Sequence, residues 1–128
     1  MSDTAKFARF KRALFDRRNG TGWDKIRGIR SSHVLKLNGI VIYVKDSSLE
    51  SGWWGVNKTI WEKLKNLDCD LRLVLLAGDG EVGYLFSKPE VAGIIDSANG
   101  DSYIVHEINL RQSSAFQNFD ECFFRLGL

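Results

Sequence analysis

Eleven of the 18 Lys and Arg residues lie within residues 1–45, where the only acids are Asp3, Asp16 and Asp24. That segment carries +8 and the remainder −6, so a net charge of +2 hides a strongly basic front third. Cations gathered in this way can neutralise phosphates along a nucleic-acid backbone and release condensed counterions, a chemistry that reads no base sequence. Arg9, Arg12, Arg17, Arg18, Lys25, Arg27, Arg30 and Lys45 are the candidate contacts, although the same charges also suit a solvated helix face. The stretch Ser51-Gly52-Trp53-Trp54-Gly55 reads as a glycine-flanked loop that adds two flat aromatic side chains. Either Trp53 or Trp54 can stack on an exposed base, with the other expected to plug the core.

The remaining reactive side chains offer less. His106 and Glu107 are neighbours in a strand-like segment, so their side chains should face opposite ways, and no nucleophile can be set beside them. A structural histidine is the expectation. Gly78-Asp79-Gly80 and Gly83 lack the spacing and the following lysine-bearing helix of a phosphate-binding loop, and read as a hairpin turn. Cys69 and Cys122 show no paired spacing, which argues against a zinc site or a disulfide framework and points to a reducing, cytoplasmic setting. The longest apolar run, Leu73 to Ala77, is far too short to span a bilayer, and no signal peptide is visible, so no membrane partner is expected.

The elements that must position these groups follow from periodicity. Phe7, Phe10 and Leu14, set among Lys6, Arg9, Lys11, Arg12, Arg17 and Arg18, predict an amphipathic basic helix stopped at Asn19-Gly20. Residues 21–32 read as an ordered basic loop anchored by Trp23, Ile26 and Ile29. Val34 to Leu37 and Ile40 to Val44 flank Asn38-Gly39 as a hairpin. A helix starting at Asn57 should bury Val56, Ile60, Trp61 and Leu64, and a second hairpin should join Leu71–Leu76 to Val82–Phe86 as central strands. Ser87 and Glu90 form a capping box with Pro89 in the first turn. Tyr103 to Leu110 is a further strand, and Ser114 with Gln117 is expected to open a last helix whose apolar stripe is Phe116, Phe119, Phe123 and Leu126. At 128 residues the chain suits one domain spanning 1–128, of α+β class, with a central mixed β-sheet flanked by helices.

The stretch HVLKLNGIVIYVKDSS from His33 to Ser48, followed by a helix and then LRLVLLAGDGEVGYLFSKPEV, resembles the core of the PD-(D/E)XK nuclease-like superfamily. The resemblance covers roughly residues 33–95 and implies a restriction-endonuclease-like fold. In that family one strand begins with an acid, and the next carries an acid, a spacer and a lysine. Lys45 stands at the lysine position, which makes it the candidate catalytic residue if activity persists; Tyr43 stands where the second acid belongs, and His33 lies near the first. Hard divalent cations need clustered oxygen ligands, and neither a tyrosine nor a neutral histidine supplies that charge.

The expectation is therefore a nucleic-acid-associated protein of nuclease-like fold, catalytically degenerate, holding no metal and contacting the phosphate backbone of DNA ahead of RNA. One rival is a metal-dependent endonuclease using magnesium, in which Asp46, Glu50 or Asp24 joins Lys45. The other is a protein-interaction module of inhibitor or immunity type, with a protein partner or a second copy of the chain bound through its acidic later half.

Overall fold

The computed structural model describes residues 5–46, 52–78 and 81–128. In chain order the elements are α1 (Ala5–Arg17), β1 (Val34–Leu37), β2 (Ile40–Asp46), β3 (Trp53–Asn57), α2 (Lys58–Lys65), β4 (Asp70–Ala77) and β5 (Val82–Ser87). They continue with α3 (Lys88–Val91), β6 (Ser97–Asn99), β7 (Ser102–His106), β8 (Ala115–Phe116) and α4 (Phe119–Arg125). Among the described residues the strands form a five-stranded sheet of order β1-β2-β4-β5-β8 and a three-stranded sheet of order β3-β7-β6. The larger sheet is mixed. β2 and β4 are parallel, with Tyr43 opposite Leu73 and Asp46 opposite Leu76, and its other pairs are antiparallel. The protein is an α+β fold.

Alternation along β2 and β4 explains the layering, because both strands are apolar on both sides. Ile42, Val44, Val74 and Leu76 face one way, into a layer made by Phe7, Phe10 and Leu14 of α1 with Phe119, Cys122 and Phe123 of α4. Phe10 meets Phe119 and Phe123 edge-on at 5.2 and 5.4 Å, a favourable geometry for aromatic quadrupoles. Val41, Tyr43, Leu73 and Leu75 face the opposite layer, built from α2 and the small sheet through Trp54, Val56, Trp61, Leu64 and Val105. Gly83 is obligatory where β5 passes beneath β8. A Cβ there would sit 2.4 Å from the Leu75 carbonyl oxygen and 2.8 Å from the Phe116 ring.

Several expected element signals act as read. Asn19 and Gly20 adopt positive φ, and the Gly20 N–H bonds back to the Phe15 carbonyl at 2.9 Å to close α1. The Asn57 side chain accepts the Ile60 N–H at 2.9 Å and opens α2. Glu90 Oε1 accepts the Ser87 N–H at 2.8 Å as half of the capping box, whose other half is the Ser87 side chain accepting from the Glu90 backbone, and it also accepts the Ser87 hydroxyl at 2.8 Å. In the second hairpin turn, Asp79 and Gly80 lie outside the described residues.

Four expectations are corrected. Lys6 is buried on α1 rather than on its polar side, and its Nζ has no hydrogen-bond partner among the described residues. Trp53 and Trp54 belong to strand β3, not to a loop, because β3 pairs with β7 along its whole length. The strand predicted to reach Leu110 ends at His106, opposite Trp53 where β3 begins; the Glu107 N–H still reaches the Gly52 carbonyl at 2.9 Å, and Glu107–Asn109 then coil into a 3-10 turn closed by the Leu110 N–H on the Glu107 carbonyl. The last helix starts after Asn118, whose side chain accepts the Glu121 N–H at 2.8 Å, instead of after Ser114. Phe116, expected on that helix, is taken by the β8 pairing with Gly83.

Candidate nucleic-acid interface

The chain crosses from one face of the large sheet to the other just ahead of β1. Trp23 packs against the α1/α4 layer, Asp24 exchanges backbone bonds with Lys36 on β1 at 2.9 and 3.1 Å, and Ile26 and Ile29 pack into the opposite layer. The cations of α1 and those of Lys25–Arg30 consequently lie on different sides of the sheet. They do not merge into one patch.

On α1 most of the candidates have partners within the protein. Arg17 donates to the Leu128 carbonyl at 2.9 Å and meets Asp120 of α4 at 3.4 Å. Arg18 donates to the carbonyls of Thr21 and Gly22 in the turn just past α1. Arg12 lies 3.5 Å from Asp16 one turn on, with both side chains well exposed. Arg9 is exposed and carries no ion pair among the described residues.

The loop is arranged differently. Lys25, Arg27 and Arg30 are all exposed and make no ion pair among the described residues. Lys25, Arg30, Ser31 and Ser32 line a groove of about 430 Å3. The loop backbone beneath is held by Ile29, which is buried, by an Ile29 N–H to Ile26 carbonyl bond at 3.1 Å, and by Lys63 of α2, which donates to the Gly28 carbonyl at 3.2 Å. Gly28 itself has φ of +87°, a conformation that side chains rarely adopt. Sequence reasoning did not single out Lys63; its spacing marks it only as a residue on the outer side of α2, and no local signal links it to a loop 35 residues away.

Lys45 ends β2 on the same face as the loop anchors. Val34 stands opposite Tyr43, and the Val44 N–H bonds to the His33 carbonyl at 2.9 Å, so one step further along this register Ser32 comes opposite Lys45. The groove therefore runs toward Lys45. Its ammonium lies 5.8 Å from the centre of the Tyr43 ring. Partial burial depresses the Lys45 pKa below the usual lysine value, and Asp46 partly offsets this. Tyr43, two residues back on the same face, has its phenol pushed up to about 12 by burial, and its hydroxyl is engaged by the Asn57 backbone.

The acids do not gather around Lys45. Asp46 follows it directly and so faces the α1/α4 side. Asp24 pairs with Lys36 on β1, which stands opposite Val41, four residues before Lys45 on β2. Glu50 lies outside the described residues. Among the described residues no three His, Cys, Asp or Glu side chains are placed to hold a metal ion. His33 is a packing residue: its Nδ1 is 2.9 Å from the Val44 carbonyl oxygen and its ring stacks on Phe7 at 4.2 Å.

The two tryptophans divide as their alternation on a strand dictates. Trp54 is buried, with its indole N–H donated to the Leu76 carbonyl at 2.9 Å. Trp53 is 43% exposed, and its ring lies over Gly55, where a Cβ would stand 3.7 Å away. Beside it on the outer face of the small sheet, His106 lies 3.5 Å from Asp96, whereas Glu107 turns away to accept the Tyr84 hydroxyl at 3.0 Å. The His106–Glu107 neighbours thus serve separate partners. Both cysteines are free, and no helix among the described residues is long and apolar enough to cross a membrane. Neither the protein-family models nor the curated proteins include one that matches this chain.

Proposed function

We propose that this chain is a nucleic-acid-associated protein on a nuclease-like scaffold, catalytically degenerate, which grips the phosphate backbone through the loop Lys25–Ser32. The observation that supports the reading is the set Lys25, Arg27 and Arg30, without an ion pair among the described residues, on a loop whose backbone is pinned by Ile29 and Lys63, with Lys25 and Arg30 lining its groove. A cation held on an ordered loop without an internal counter-ion loses little conformational freedom on meeting a phosphate, so most of its Coulombic gain is available to binding. Lys45, across the strand register from the groove-lining Ser32, extends the positive track, and Trp53, which is 43% exposed, is the aromatic candidate for a splayed base.

The nuclease-like scaffold is favoured by a hairpin β1–β2, a helical crossover and a strand β4 parallel to β2, with Lys45 at the end of the middle strand. Loss of activity is favoured by Tyr43 and His33, whose hydroxyl and ring are committed to packing and backbone contacts. Binding of a labelled 20-base-pair DNA and its RNA counterpart, measured across a salt series, tests the proposal. Affinity should fall steeply with salt, and the DNA should stay intact with magnesium or manganese present. Salt-independent or undetectable binding at low ionic strength sinks the backbone reading. Chelator-sensitive cleavage lost in Lys45→Ala sinks the degenerate one.

A further inference from the structure

The groove at the basic loop has walls for which a phosphate has no use. Lys25 and Arg30 line its volume of about 430 Å3, and so do Ile26, Gly28 and Ile29, apolar residues between them in the chain. Ile29 is buried and Ile26 half-buried, both packed on the core beneath, so the surface they lend the groove is apolar and firmly held. At Gly28 nothing comes within 4 Å of the place where a Cβ would stand, while its carbonyl is held by Lys63 at 3.2 Å. The groove is therefore open over a fixed backbone. Ser31, which also lines it, accepts the His33 N–H at 3.2 Å and keeps its hydroxyl proton for a further acceptor.

Charge complementarity names a polyanion, and the apolar walls select its form. A duplex stacks its bases inside a charged sheath. Laid on the loop, it brings phosphates to Lys25, Arg27 and Arg30 and offers only base edges, recessed in its grooves, to Ile26 and Ile29. An unpaired strand can turn one base out, set the ring against the apolar walls, and keep the phosphates on either side of it within reach of the cations. Ring and walls then leave water together, a hydrophobic gain that a duplex forgoes.

We infer that the groove holds an unpaired nucleotide, so that the protein selects single-stranded over duplex nucleic acid; the inference rests on the phosphate-binding role proposed for the same loop. The test is fluorescence anisotropy of the full chain near 100 mM salt with a fluorescein-labelled strand of about 12 nucleotides, made as DNA and as RNA, each alone and annealed to its complement. A DNA strand of the same length with every site abasic is the further probe, since it keeps the phosphates and lacks the rings. Each single strand should bind roughly tenfold more tightly than its own duplex, and the DNA strand should exceed the abasic one by a similar factor. Ile26→Ala, with its fold checked by a melting curve, should shrink both differences to about threefold or less. The comparison of probes decides even where that variant fails to fold. A duplex or an abasic strand that binds as tightly as the intact single strand overturns the inference and leaves the phosphate reading standing, as do undiminished differences in a folded Ile26→Ala, which place the base elsewhere. Binding of none of the probes, at low salt as well, overturns the phosphate reading and the inference with it.

Discussion

The helix α1 and the loop that follows it are both basic, yet they use their cations differently. Arg17 ties α1 to α4 and to Leu128, Arg18 holds the carbonyls of the turn past the helix, and Arg12 is matched by Asp16. Lys25, Arg27 and Arg30 have no such matches among the described residues, and it is their backbone that is fixed, from beneath, by Ile29 and by Lys63. Charge density along a sequence therefore cannot separate cations that serve folding from those left for a ligand. What separates them is whether the fold brings a carboxylate or carbonyl within reach.

The largest expected effect breaks the helix side alone. Phe10→Ala removes a fully buried ring from between Phe119 and Phe123 and should cost about 3–5 kcal/mol in denaturant unfolding, much of the stability of a domain this size. A loss under about 1 kcal/mol would mean that the α1/α4 layer is not the main support of the fold.

Next comes the loop. Reversing Lys25, Arg27 and Arg30 together to Glu should weaken DNA binding by about 100-fold or more near 100 mM salt and flatten the salt dependence by roughly three phosphate contacts. The melting temperature should barely move, since these side chains hold nothing within the described residues. If the triple variant binds as well as the parent while reversal of Arg9 and Arg12 abolishes binding, the helix and not the loop is the interface.

A third measurement asks what the strand end beneath the loop contributes. The Tyr43 phenol, with a folded value of about 12 against 10 when unfolded, keeps its proton in the native state while the unfolded chain gives it up. Its contribution to stability is complete below pH 10 and is lost as pH climbs toward 12. Lys45 acts in the opposite sense: its depressed native pKa makes the unfolded chain hold more protons as pH approaches 10.5 from below, so stability rises with pH there. Tyr43→Phe should flatten the alkaline loss, and Lys45→Met should remove the preceding rise, both read from denaturation midpoints at stepped pH. An unaltered alkaline profile in Tyr43→Phe would show that the phenol is not the group responsible.

How much of this was legible in the sequence depends on how local each signal is. The capping residues Asn57 and Glu90 and the stop at Asn19-Gly20 act within five residues of their partners, and they are found as read. The 3.6-residue stripe of Phe7, Phe10 and Leu14 likewise suffices to place the buried face of α1. Ser114 and Gln117 present the same pattern as a true cap, but Phe116 is claimed by Gly83, a contact more than 30 residues away, so the helix begins at the next available cap, Asn118. Trp53 and Trp54 lie in a segment whose strand character comes from pairing with β7, about 50 residues on. The split between α1 and the loop was illegible for the same reason, since Asp120, Leu128 and Lys63 reach their partners only after the chain has crossed the sheet edge.

The smallest effect is the sharpest way to separate the two basic regions, because it uses one chemical change at two positions. Arg17→Ala removes the bond to the Leu128 carbonyl and the 3.4 Å pairing with Asp120, whose side chain is 82% exposed, so solvent screening limits the loss to about 0.5–1 kcal/mol of stability. DNA affinity should stay within about twofold, because an arginine already tied to α4 has no free guanidinium to offer a phosphate. Arg27→Ala should do the reverse, leaving stability within about 0.5 kcal/mol while lowering the salt slope by roughly one contact. Each variant is measured in both assays, thermal unfolding and DNA titration across salt. A crossed result, with stability lost only in Arg27→Ala and affinity lost only in Arg17→Ala, would exchange the roles of helix and loop, and similar losses of both kinds in both variants would remove the distinction between them.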